Sequence, residues 1–214
     1  MDALEIAPGL WRWTGYHEEW KENVGCVYCE TQDGVVLIDP LVPPEDAERF
    51  WEALDRDIER LGKPVHVLVT IFWHTRSAAA MVERYSARVW SPTTSRAAVA
   101  RRAGVVTDAF KPGDPLPGDI EAFRTARTTE VVYWIPAHRS LVPGDVLLGD
   151  EAGGVRMCPE SWLPGQTIVL QIVRLAGSIG LAVAVLAAAA WALRIREFNE
   201  GMSLVARRFK RTTR

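Results

Sequence analysis

The chain has 214 residues, enough for one domain of ordinary size with a remainder left over. Its net charge of −2 excludes a whole-chain electrostatic case for nucleic-acid binding. That average conceals two unlike pieces. Residues 1–166 carry 17 Lys and Arg against 25 Asp and Glu, a net of −8, whereas residues 167–214 carry 8 against 2, a net of +6.

Met1–Glu5 is acidic and no apolar run follows it, so no secretory signal peptide is expected. Ile6–Tyr16 reads as a first strand with Trp11 and Trp13 on one face. Val24–Glu30 and Gly34–Asp39 read as two more strands. The turn between them, Thr31-Gln32-Asp33-Gly34, ends in Asp-Gly, a pair that supplies the positive φ angles of a tight hairpin. Cys26, Cys29 and Cys158 read as reduced thiols of a cytosolic domain. Cys26 and Cys29, three apart on a strand, point to opposite faces and do not form a metal or redox pair.

Pro44–Leu61 places Phe50, Trp51, Leu54, Ile58 and Leu61 at helical spacing, with Gly62 as the stop. Val65–Ala80, VHVLVTIFWHTRSAAA, runs from a β-branched strand through a polar turn into a helix over Ser77–Ser86. Arg88–Trp90 reads as a short strand and Thr94–Ala103 as a helix ended by Gly104. Ala109–Asp119 is a Pro/Gly loop. Ile120–Phe123, Val131–Ile135 and Ser140–Val142 read as strands of a second sheet, with a turn at Pro136–Arg139, and Asp145–Leu148 closes this half. Strands and helices alternate first, and a strand-rich half follows, which suits two stacked sheets with helices outside.

The Val65–Ala80 stretch resembles the core strand and metal loop of the metallo-β-lactamase fold. There the strand ends T-H-x-H-x-D-H and supplies zinc ligands. Here Thr70 is followed by Ile71, Phe72, Trp73, His74, Thr75 and Arg76. Asp39, closing LID before Pro40, matches the Asp at the end of the family's second strand, and Gly144-Asp145 matches its Gly-Asp pair. The resemblance spans roughly Leu10 to Leu163. It implies an α/β fold, an αββα sandwich of two mixed sheets with outer helices. It also implies zinc-dependent hydrolysis, in which several His and carboxylate ligands activate a bound water.

Matched residue by residue, Asp145 is the best-preserved site residue, and His74 lies in the metal loop one position out of register. Arg76 stands where the family has a ligand His. The stretch before Val131 reads ARTTE and contains no His, and the family's last His has no counterpart. The expectation is a degraded zinc site built around Asp145, His74 and Asp39. Arg76 would supply positive charge by pairing with Asp145, Asp39 or both, and Trp73 or Phe72 would fill vacated volume. His66 reads as a packed strand residue, His138 as a turn residue and His17 as a loop residue within reach of the site.

Leu175–Leu193 has no charged residue for 19 positions, close to the roughly 20 that a bilayer core requires. Arg174 and Arg194 bracket it and Trp191 sits near one end. A C-terminal membrane helix over residues 168–193 with a basic tail is expected, resembling the last helix of bacterial lipid flippases. Three functions remain open: a weak or inactive hydrolase-like domain tethered to a membrane, a single-metal hydrolase of an ester or thioester, and a tethered small-ligand binding module. The globular part is expected on the cytoplasmic side, and no nucleic acid is expected as partner.

Overall fold

The structure is a computed structural model. It describes residues 2–104, 106–149, 153–159, 162, 176–182, 185, 186 and 189. The chain divides into two compact units, Met1–Leu163 and Pro164–Arg214.

In the first unit, β1 (Asp2–Ala7), β2 (Leu10–His17), β3 (Glu22–Glu30) and β4 (Val35–Ile38) pair antiparallel in sequence order. The single strand expected over Ile6–Tyr16 is therefore two. Gly9 at φ 78 turns the chain between them, where the apolar alternation alone carries no break. The hairpin between β3 and β4 is present, but neither Asp33 nor Gly34 has positive φ. Thr31 closes it instead, its N–H and hydroxyl both donating to the Gly34 carbonyl. Gly34 is required for a different reason: a Cβ there would lie 2.4 Å from the Pro64 carbonyl oxygen.

From β4 the chain makes parallel crossovers. Helix α1 (Ala47–Leu61) leads to β5 (Val65–Leu68), α2 (Ala78–Tyr85) to β6 (Arg88–Pro92), and α3 (Arg96–Ala103) to β7 (Asp108–Phe110). The result is one mixed sheet in the order β1 to β7. The Pro/Gly stretch expected to lack regular structure thus begins inside an edge strand. Each crossover adds its strand on the same side, and right-handed connections then put all three helices on one face. Phe50 and Leu54 of α1, Ala78 and Met81 of α2, and Val99 and Ala103 of α3 share a core with Val35, Leu37, Val67 and Val89.

The opposite face carries Leu10, Cys29, Val36, Ile38 and Leu68. It packs on β8 (Glu121–Arg124) and β9 (Val131–Ile135), which with β10 (Ser140–Val142) form a second sheet ordered β10-β9-β8. This sheet is antiparallel, not mixed as expected. Among the described residues no helix covers its outer face, where Phe123 and Leu141 are exposed. The layers are thus helix, sheet and sheet. A further hairpin, β11 (Leu147–Gly149) with β12 (Val155–Met157), follows. Cys26 belongs to one core and Cys29 to the other, as strand alternation requires.

In the second unit, residues 176–182, 185, 186 and 189 are helical and exposed. Most of the span expected over residues 168–193 lies outside the described residues. Among the described residues no helix is long and apolar enough to cross a membrane.

Candidate functional site

The parallel neighbours β4 and β5 end side by side, and both run into the site. Asp39 follows β4 with φ 50, a left-handed conformation that Asp tolerates better than most residues. Its N–H donates to the Leu68 carbonyl at 3.0 Å. That bend turns its buried carboxylate onto the end of β5, where it accepts the Thr70 N–H at 2.8 Å and the Thr70 hydroxyl. The loop after β5 is tied to the second sheet. Val131 N–H donates to the Thr70 carbonyl, the Tyr133 hydroxyl donates to the Val69 carbonyl, and Ile71 bridges Glu130. The site therefore sits where the two sheets are stitched together.

His74 is 5% exposed, and both of its nitrogens face carboxylates. Nδ1 lies 2.9 Å from Asp39 Oδ2 and 3.0 Å from the Thr70 hydroxyl, and Nε2 lies 3.0 Å from Asp145 Oδ1. Burial opposes a charge on this ring. The charge of Asp39 and the hydrogen bonds to Asp145 and Asp39 outweigh burial and raise its pKa above the ordinary 6.5. When protonated, the ring donates to both acids at once, and these charge-assisted bonds join Asp39 to Asp145.

Asp145 also accepts the Trp73 indole N–H at 2.8 Å, and Arg127 Nη1 lies 3.7 Å from the same oxygen. Burial pushes this carboxyl up, but the bond to and charge of His74, the indole and Arg127 hold it below the ordinary 3.8. Its backbone is fixed from beneath by Glu130, which is 2% exposed. Glu130 Oε1 accepts the Val146 N–H at 2.8 Å, and a Cβ on Gly144 would lie 2.6 Å from that oxygen. Only glycine lets the Gly144-Asp145 turn close over the carboxylate. Arg127, also buried, pairs with Glu130 at 3.4 Å.

Arg76 takes a different place from the one expected. Its Nη1 donates to the backbone carbonyls of Gly25 and Asp39 at 2.9 and 2.8 Å. Among the described residues it makes no ion pair with the Asp39 or Asp145 carboxylate. It stacks over Trp20, whose ring lies 5.5 Å from His74 and stacks on His17 at 4.0 Å. His17 is thus separated from the centre by one indole. Burial and the nearby Arg76 lower its pKa below 6.5. Trp73 does enter the site, whereas Phe72 turns back to the helix-side core. His66 lies buried on β5, accepting the Trp90 indole N–H at 3.2 Å, and His138 closes the turn before β10.

No protein-family model and no curated protein matches the chain. Among solved structures it is similar to DIM-1 metallo-β-lactamase, with 14% identity, a TM-score of 0.55, and 72% of this chain and 73% of that one covered. A metallo-β-lactamase from Pontibacter korlensis matches with 19% identity, a TM-score of 0.55, and coverages of 70% and 74%. One from Hirschia baltica matches with 12%, 0.52, and coverages of 70% and 73%. The chain has the metallo-β-lactamase fold. In that frame Asp39, the loop after Thr70 and the Gly144-Asp145 pair lie together at one end of β4 and β5.

Among the described residues, no group of three or more His, Cys, Asp or Glu side chains is disposed to hold a metal ion. Asp145 and His74 are the nearest to a donor pair, and they are bonded to each other. Sequence reasoning missed Arg127 and Glu130. Both come from the stretch where the family's next His would lie, and a charged pair three apart was the available signal.

Proposed function

We propose that this chain is a divergent hydrolase-like protein of the metallo-β-lactamase fold in which side-chain cations stand where the family holds metal ions, so that catalysis is weak or absent. The observation that supports it is His74, with both nitrogens committed to carboxylates. A catalytic zinc takes several His or carboxylate donors and keeps an open position for water. Asp39, His74 and Asp145 do not fit that role. The imidazole has no lone pair to offer while it is doubly protonated, and Asp145 is already held by an indole and faced by a guanidinium. A carboxylate stabilised in this way is also a poor general base.

The test is zinc content and turnover of the purified full chain. The expected result is zinc well below one per chain, with no zinc-stimulated hydrolysis of esters or thioesters. One zinc per chain together with zinc-stimulated turnover would instead assign a single-metal hydrolase built on Asp145, His74 and either His17 or Asp39. A ligand that raises Tm without being turned over would assign the cleft to binding.

The same proposal includes a tether. Residues 168–193 contain the 19 uncharged positions Leu175–Leu193, and seven basic residues follow. An apolar run of that length flanked by Arg supports a membrane helix. Flotation of the chain with liposomes, abolished by deleting residues 168–193, is the expected outcome. Unchanged flotation of the deletion variant would remove the tether.

A further inference from the structure

We propose that Arg127 is a resident cation that keeps divalent metal ions off Asp145. This rests on the reading above and adds the residue responsible. Arg127 is 4% exposed, and a guanidinium cannot shed its proton to suit a buried setting. It is held on every side. Nη1 lies 3.4 Å from Glu130 and 3.7 Å from Asp145, while Nε and Nη2 donate to the Trp162 carbonyl at 2.9 and 2.5 Å. Its Cζ lies 5.6 Å from the ring of Trp73, whose N–H occupies the same Asp145 oxygen.

The cradle is written into six residues. The Arg127 N–H donates to the Thr125 hydroxyl, that hydroxyl reaches Glu130 Oε2, and the Glu130 N–H returns to the Arg127 carbonyl. Thr125, Arg127 and Glu130 therefore fix one another before any contact with Asp145 is made. A guanidinium pinned this way does not swing aside for an incoming ion. A divalent cation on Asp145 would displace the indole N–H and sit beside a fixed positive charge in a low-dielectric pocket, where like charges repel strongly. The pair also balances itself, because Glu130 supplies the counter-charge. Arg127 can then persist whether or not Asp145 holds a ligand.

The test uses the full chain in detergent with Zn2+ and Co2+ as probes. In the wild type neither ion is expected to raise Tm at tenfold excess, and Co2+ is expected to show no ligand-field absorption. Arg127→Gln combined with Glu130→Gln removes the cation and its buried partner together, leaving neither charge alone. The double variant is expected to bind Zn2+ at least tenfold more tightly than the wild type and to give ligand-field bands with Co2+. Arg127→Lys, which keeps the charge, is expected to behave as the wild type. Equal weak affinity in wild type and double variant overturns the role of Arg127 and leaves the metal-free reading standing. Tight Zn2+ in the wild type overturns both. Should the double variant fail to fold, the wild type decides: the shielded Arg127 Nε–H resonance is expected to persist unshifted through a Zn2+ titration. Its loss or displacement overturns the proposal.

Discussion

His66 and His74 lie eight positions apart, on β5 and the loop after it, and each is about 5–6% exposed. Their chemistry is opposite. His66 accepts a hydrogen bond from the Trp90 indole, and burial with the charge of Arg88 lowers its pKa, against Asp108 and Asp33. His74 faces a carboxylate at each nitrogen, and the two outweigh burial and raise its pKa. Burial alone therefore does not set the direction in which a histidine's pKa moves; the partners do. The strand sets those partners. At its start β5 passes an indole and a surface Arg, and at its end it meets the carboxylates that close β4 and the Gly144 turn.

The contrast breaks most completely if the carboxylate that charges His74 is removed. Asp39→Ala deletes the acceptor for the Thr70 N–H, the Thr70 hydroxyl and His74 together. Removing one partner of a buried charged pair costs about 3–5 kcal/mol. Urea unfolding of the variant is expected to show a loss of that size with an unchanged m-value. An effect below about 1 kcal/mol would mean that Asp39 is not the anchor of the loop.

His74→Gln comes next. It leaves Asp39 and Asp145 without the ring that joins them, and hydrogen bonds to charged groups are each worth about 1.5–3 kcal/mol. The expected loss is about 2–3 kcal/mol near pH 6. Its pH dependence is the sharper test. A raised folded pKa gives stability that is fully present below the unfolded value of 6.5 and fades as pH climbs through the folded value. The gap between wild type and variant is therefore expected to narrow as pH rises from about 6.5. A gap that widens instead would show that the ring is neutral.

Much of the helix-bearing sheet was legible. Phe50, Leu54, Ile58 and Leu61 mark α1, and Gly62 ends it at φ 61. β9 runs over Val131–Ile135, the span that its alternation indicated. What was not legible depends on partners distant in the chain. The turn at Gly9 is the exception, since Pro8-Gly9 marks it locally and the apolar residues on both sides only mask it. β12 is short and exposed on all three residues, so no pattern marks it. Asp39, His74 and Asp145 were found through the resemblance, but not their arrangement. A motif shows which residues approach, while the hydrogen bonds show that an imidazole links the acids and that Arg127, not Arg76, is the guanidinium at Asp145. The run ARTTE looks like a polar loop until Gly144 and Val146 are folded against Glu130.

Both ends of β5 also depend on a glycine that brings a backbone close. At the His66 end, Gly34→Ala would put a methyl 2.4 Å from the Pro64 carbonyl and 2.9 Å from His66 Cδ2. Backbone cannot yield as a side chain does, and overpacking costs about 1–3 kcal/mol. A lowered Tm is expected, with the His66 environment disturbed and that of His74 unchanged by NMR. Equal disturbance of the two rings would mean that the ends of β5 are not independent.

The smallest effect belongs to His66→Leu. It removes the acceptor of the Trp90 N–H, and one neutral hydrogen bond contributes about 0.5–1.5 kcal/mol. A loss of about 1 kcal/mol is expected at pH 8. Here the sign of the pH effect reverses. A histidine whose folded pKa is depressed costs nothing above the unfolded value of 6.5, and it penalises folding as pH falls from there towards the folded value. The leucine escapes that penalty, so the variant is expected to approach the wild type on acidification. Both windows thus open near 6.5, that of His74 running upward and that of His66 downward. Two variants moving in the same direction with pH would mean that one partner set governs both rings, which an indole at one end and two carboxylates at the other do not allow.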